Sequence, residues 1–154
     1  MVGGTFSPFH AGHRRLLERA FALAGRDGHV VIGLTTDEFA GRKRHPVLPS
    51  DERRRVLEAF ILTLGGATGW EIQPLGDHYG SALEDDFDAL VVSEETAGVA
   101  REINRLRQAR RKRKVDIHQI ACVFAEDGRW ISSTRIIAGE IDHEGHIVKK
   151  KHGP

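Results

Sequence analysis

Short apolar runs alternate with helical stripes along this chain, and that alternation leaves few folds open to it. Leu16, Leu17, Ala20, Phe21 and Ala24 recur at helical spacing. Val56, Leu57, Phe60, Ile61 and Leu64 repeat the stripe behind the start signal Pro49-Ser50-Asp51. Val99, Ala100, Ile103 and Leu106 form a third. Between them lie strand-like runs at 29–34, 70–75, 89–92 and 116–123. HVVIGL and ALVV are nearly continuous apolar runs, the mark of strands covered on both faces. WEIQPL alternates and carries Pro74, which suits an edge, because proline has no N–H to offer a second neighbour. This order predicts βαβ units: an α/β fold with a doubly wound parallel sheet of about five strands and helices on both faces.

Composition narrows the function classes. The 154 residues suit one domain, expected over 1–148, with a basic polar tail at 149–154. The 23 Lys and Arg are balanced by 22 Asp and Glu, which excludes a surface given over wholly to nucleic acid. The single Cys122 excludes an intrachain disulfide and a cysteine-based zinc site. No apolar run approaches the ~20 residues of a membrane span. A soluble cytoplasmic protein is expected, as a monomer or small homo-oligomer, without membrane or nucleic-acid partners. Only Met1 and Val2 precede Gly3, so the first strand is expected to be unusually short, at a cost to stability unless translation begins upstream.

In such sheets ligands bind outside the carboxyl ends of the strands, so the loops there matter most. The first reads Gly3-Gly4-Thr5-Phe6-Ser7-Pro8-Phe9-His10-Ala11-Gly12-His13 and runs into a helix. Glycines let the backbone approach a ligand, and a helix start offers free N–H groups with partial positive charge. Together they predict an anion site, with phosphate as the anion. His10 and His13 lie three apart and can donate N–H bonds to phosphate oxygens from one side of the helix. An isolated H-x-x-H is more often a cap and a surface residue, and a zinc pair would need further ligands. The segment is neither the dinucleotide fingerprint nor the phosphate loop.

GGTFSPFHAGH resembles the G-G-T-F-D-x-x-H-x-G-H signature of the nucleotidyltransferase superfamily, and Ile131-Ser132-Ser133-Thr134-Arg135-Ile136 is similar to its second signature, I-S-S-T-R-I. GLTTDEFA (33–40), PLGDHYG (74–80), VVSEET (91–96), Ile103-Asn104-Arg105 and IIAGEIDHEG (136–145) resemble the archaeal and eukaryotic type of phosphopantetheine adenylyltransferase. The resemblance covers nearly the whole chain. It implies a Rossmann-like fold and transfer of AMP from ATP to 4′-phosphopantetheine, giving dephospho-coenzyme A and pyrophosphate in coenzyme A synthesis. Magnesium is expected with ATP, bound mostly by its phosphates.

The same resemblance implies residue roles. His13 would contact the phosphates through the transition state, with His10 beside it. Gly4, Thr5 and Phe6 would line the ATP site, and the Thr5 hydroxyl would touch the acceptor phosphate. Ser132, Ser133 and Thr134 would hold the β- and γ-phosphates at a second helix start, with Arg135 as a charged clamp; an ordinary N-cap is the plainer reading of Ser132. One of Arg42, Lys43 and Arg44, taken as Lys43, would neutralise phosphate. Asp77 and Tyr79 would meet the pantetheine arm, and Glu95 and Thr96 the adenine. Asn104 and Arg107 would face the nucleotide or the helix surface. Ser7 departs from the signature's Asp. The run 110–114 is five consecutive basic residues, expected as a solvated helix end, with nucleic acid as the rival. Residues 142–146 mimic a metal cluster but are expected at the surface, and Cys122 in the core. The rival enzymes share both signatures: cytidylyl transfer to a polyol phosphate, or adenylyl transfer to FMN.

Overall fold

The computed structural model describes residues 1–149. Residues 150–154 of the expected tail lie outside them. The elements run β1 (Val2–Gly4), α1 (Ala11–Ala24), β2 (His29–Thr35), α2 (Asp37–Ala40), α3 (Ser50–Leu64), β3 (Gly69–Leu75), β4 (Ala89–Val92), α4 (Ala97–Ala109), β5 (Asp116–Gln119) and α5 (Ser133–Ile137). A 3-10 turn at Gly80–Leu83 precedes β4.

Every strand pair is parallel, and β3 is an edge with Pro74 opposite Leu34, as the alternating pattern requires. The expected single sheet is divided into a ladder β1-β2-β3 and a ladder β4-β5. The cause is the brevity of β1. Its three residues pair with Ile32, Gly33 and Leu34 of β2, and only Met1 reaches the other way. The Met1 carbonyl accepts from Val91 N–H at 2.9 Å, and the Met1 nitrogen donates to Ala89 O at 2.7 Å. The spatial order is therefore 3-2-1-4-5, and the reversal in strand order falls between β1 and β4. β5 stops at Gln119, short of 123. Ile120 N–H still bonds Val92 O, but Val123 O turns to accept from Ile131 N–H.

Successive side chains of β4 enter opposite layers. Val91 joins Val30, Ile32 and Leu34 of β2 under α1 and α3, where Leu16, Leu17, Leu57 and Ile61 are buried. Leu90 and Val92 point the other way, onto Ala97, Ala100 and Ile103 of α4. Helices thus cover both faces. A third, smaller cluster of Ala125, Ile131 and Ile141 supports the second signature. Gly145 (φ +89°) lies over it, where a Cβ would meet Ile131 Cδ1 at 2.7 Å.

Two arginines are the largest fully buried side chains. Arg107 donates from Nε to Arg113 O at 2.7 Å and from Nη1 to Ala82 O at 2.8 Å and Asp85 O at 2.7 Å. It fastens the loop 82–88 and the chain leaving α4, and it lines neither cavity of the site, which corrects the expectation that it meets ATP. Asn104 is likewise turned inward, exchanging bonds with Val115 N–H and O at 2.8 and 2.9 Å. The basic run is less a free helix end than expected. Arg110 and Lys112 bond Glu84, and Arg113 bonds Phe87 O and Asp88.

Candidate active site

The Gly-rich loop leaves β1 at the reversal and reaches α1 through Phe6, whose φ of +55° is uncommon for a bulky residue. His10 is the N-cap of α1. Its Nδ1 accepts from Gly12 N–H at 3.0 Å, and His13 Nδ1 accepts from His10 N–H at 3.2 Å. An amide N–H only donates, so each neutral ring must carry its proton on Nε2. The rings stack with centroids 3.8 Å apart, and Phe6 (5.3 Å) and Phe9 (5.7 Å) close on His13. Burial, then the charges of His143 and Arg14, pushes His10 down to about 4. Burial, then His10 and Lys43, holds His13 well below its ordinary range. At neutral pH the pair offers two uncharged Nε2–H donors.

Here the structure amends the expected anion site. Two N–H groups of the first turn are already used: Gly12 bonds His10, and Ala11 N–H bonds His143 O at 3.0 Å. The imidazole Nε2–H groups, unlike those two amides, remain available to donate. The segment that resembled a metal cluster supplies this support. Asp142 accepts from Glu144 and His146 N–H groups, Glu144 pairs with Arg14, and His143 bonds Phe9 O. Among the described residues no three His, Cys, Asp or Glu side chains converge as a metal cage.

Two cavities open at the carboxyl ends of β1 and β4. One, of about 230 Å³, brings His10 and His13 together with Ser132, Ser133 and Thr134. The two signatures therefore share one chamber despite their distance in sequence. Glu95, Thr96, Gly4, Thr5 and Phe6 line it too. The other, of about 430 Å³, lies between β1, β3, β4 and α4, walled largely by apolar side chains such as Leu75, Leu90, Val99 and Ile103, with Tyr79 and His78. Gly3, Gly4, Thr5, Lys43 and Thr96 line both cavities and form their common wall. Of the three basic loop residues, Lys43 lines both, Arg42 only the larger, and Arg44 neither. Arg42 instead lies over the Phe39 ring at 5.7 Å.

Other expected positions divide. Ser132 caps α5, accepting from Arg135 N–H at 3.3 Å, as its plainer reading has it, and also lines the chamber. Arg135 is turned away. Asp127 (2.5 Å) and Glu140 (2.9 Å) hold its guanidinium, which is absent from the chamber lining. Asp77 points to its own turn, accepting from Tyr79 and Gly80 N–H at 2.8 and 2.7 Å, while Tyr79 alone lines the larger cavity. Cys122 is not core: it lines the smaller chamber and its thiol donates to Glu94 at 3.1 Å. Ser93, Glu94 and Trp130 also line that chamber without having been read from the sequence. Ser93 and Glu94 do lie within the motif at 91–96, and Trp130 adjoins the one at 131–136.

Residues 1–139 match the family model described as cytidylyltransferase-like. A protein of Methanosarcina barkeri named phosphopantetheine adenylyltransferase is 48% identical, over 98% of this chain and 94% of its own. Relatives with the same name from Methanothermobacter thermautotrophicus and Archaeoglobus fulgidus are 46% and 42% identical, covering 99% and 96% of this chain and 90% and 97% of theirs. A crystal structure of an Archaeoglobus fulgidus protein of unknown function superimposes with a TM-score of 0.69 at 34% identity, over 86% of this chain and all of that one. The paired signatures, the sheet order and these matches place the chain in the cytidylyltransferase-like family.

Proposed function

We propose that the chain transfers AMP from ATP to 4′-phosphopantetheine, forming dephospho-coenzyme A and releasing pyrophosphate. One observation carries this reading: a smaller chamber bearing imidazoles and hydroxyls and a larger one walled largely by apolar side chains meet at a wall of glycine, threonine and lysine. Two substrates between which an adenylyl group passes need such adjacency, and the names of the relatives supply their identity.

The acceptor phosphate attacks the α-phosphorus directly, the bond to the bridging oxygen breaks, and pyrophosphate leaves in line. No covalent intermediate on the protein is needed, so its contribution is position and charge stabilisation. His13 and His10 present Nε2–H donors to the α-phosphate, where negative charge builds. Each such donor contributes about 3 kcal/mol, or about a hundredfold in rate. Ser132, Ser133 and Thr134 hold the departing phosphates. Lys43, on the common wall, offsets the repulsion between the two anions. The Thr5 hydroxyl takes the acceptor phosphate, and the apolar walls with Tyr79 take the pantetheine arm. Glu95 and Thr96 border the adenine. With hydroxyl and imidazole N–H donors and no carboxylate cage among the described residues, the chamber suits Mg²⁺ carried by the triphosphate, which would neutralise its charge.

No helix among the described residues is long and apolar enough to cross a membrane, in keeping with a cytoplasmic role beside soluble substrates. The test is pyrophosphate release across a matrix of nucleotides and phosphorylated acceptors. ATP with phosphopantetheine should turn over. Release only with CTP and a polyol phosphate, or only with FMN as acceptor, would overturn the assignment.

A further inference from the structure

Arg53 belongs to neither signature, yet it is fully buried and bonds the backbone of Thr5 behind the common wall. It stands in the first turn of α3 and makes four hydrogen bonds. Nε donates to Leu48 O at 2.7 Å, Nη1 to Thr5 O at 3.1 Å and Thr35 Oγ1 at 3.0 Å, and Nη2 to Asp37 Oδ1 at 3.0 Å. One side chain thus ties the loop after β1 to the end of β2. Asp37 and Leu48 also bracket the segment that carries Lys43.

The polarity of these bonds is fixed. A guanidinium only donates, so Thr35 Oγ1 accepts from Arg53. The single Thr35 proton then goes to Thr5 Oγ1, 3.1 Å away. Thr5 accepts there, and its own proton is left for a third group. Thr5 lines both cavities, and Thr35, 5% exposed, lines the larger one, so the bond between them lies at the cavity wall with little surface open to water.

We propose that Arg53 is a positioning residue: acting through Thr35, it sets the Thr5 hydroxyl as a donor to the acceptor phosphate. This rests on the adenylyl-transfer reading above. Without the relay the Thr5 hydroxyl turns freely, and the phosphate dianion must order it on binding, so the donor is no longer preorganised. Losing one donor to a charged group weakens acceptor binding by about tenfold or more. The nucleotide, gripped by the histidines and α5, is untouched.

The experiment uses the full chain and two readouts. One is initial rates of pyrophosphate release with each substrate varied in turn. The other is calorimetric titration of phosphopantetheine without ATP. Thr35→Val removes the relay while keeping the volume and leaves Arg53 bonded to Thr5 O, so it isolates the hydroxyl from the fold. It should raise both KM and Kd for phosphopantetheine about tenfold and leave KM for ATP within twofold. Thr35→Ser should recover most of the affinity. Arg53→Lys, which keeps the charge but not the fork, should shift the acceptor KM in the same direction. In a cycle with Thr5→Val, the double variant should lose no more than either single one. An active wild type whose acceptor KM and Kd are unmoved by Thr35→Val would overturn the relay alone. So would equal rises in both KM values, or additive losses in the cycle. A wild type that neither binds phosphopantetheine nor turns it over would overturn the functional reading and the relay with it.

Discussion

The histidine pair makes acid unusually costly for this fold. His10 is ordinarily half protonated near pH 6.5, and in the folded chain burial lowers that point to about 4. Above 6.5 both states are neutral there and stability is at its full value. As pH falls from 6.5 toward 4 the unfolded chain takes up a proton that the folded chain refuses, and stability is lost. At 1.36 kcal/mol per pH unit, His10 alone accounts for about 2.5 kcal/mol between pH 7.5 and 4.5. His13 acts in the same direction. Asparagine is a good N-cap and its carbonyl can accept from Gly12 N–H, so His10→Asn removes the titration while keeping the cap. Urea unfolding at the two pH values, followed by fluorescence of Trp70 and Trp130, measures both proteins. The carboxylates that accept ion pairs, Asp127 and Glu140 among them, weaken alike in each, so the difference isolates the imidazole. The wild type should lose about 2.5 kcal/mol more than the variant. Equal losses would mean that His10 is not held neutral by its surroundings, and its reading as an uncharged donor would fall with it.

Other outcomes follow from single contacts. His13→Asn should slow pyrophosphate release about a hundredfold in a coupled assay, with the acceptor KM nearly unchanged. Gly12→Ala puts a Cβ 2.8 Å from His10 Cε1 and 3.0 Å from its Nδ1, so the ring must move; turnover should fall at least tenfold although alanine favours the helix. Arg107→Met orphans three carbonyl oxygens and should cost about 3 kcal/mol in thermal melting, with the KM for ATP unchanged. Ser132→Ala should lose about 1 kcal/mol of stability with its cap and also raise the KM for ATP.

What the sequence made legible is local or periodic. The continuous runs at 29–34 and 89–92 marked strands covered on both sides, and Pro74 marked the edge. The two signatures marked the chamber because their residues sit at loop and helix starts whose geometry travels with the motif. Long-range pairing left no such trace. An arginine on a helix reads as surface, since arginines are rarely buried unless paired, and most partners of Arg53 and Arg107 are carbonyls or a hydroxyl that carry no charge to mark them in the sequence. The charges at 110–113 looked unopposed because Glu84 and Asp88 lie far upstream. Arg135 looked like a phosphate clamp until Asp127 and Glu140 arrived from either side of it. Cys122 sat in an apolar run, and only the departure of the chain from β5 turned it toward the chamber.

The two chambers are separated by little more than the backbone of Gly3 and Gly4 and the side chains of Thr5, Lys43 and Thr96. A molecule whose two halves are already joined can therefore seat both at once, each half raising the effective concentration of the other. It meets the same walls as the separate reactants without a second loss of translational freedom. On the proposed reaction the linked product should be held more tightly than either starting compound, and its departure, rather than bond making, should set the pace of the cycle.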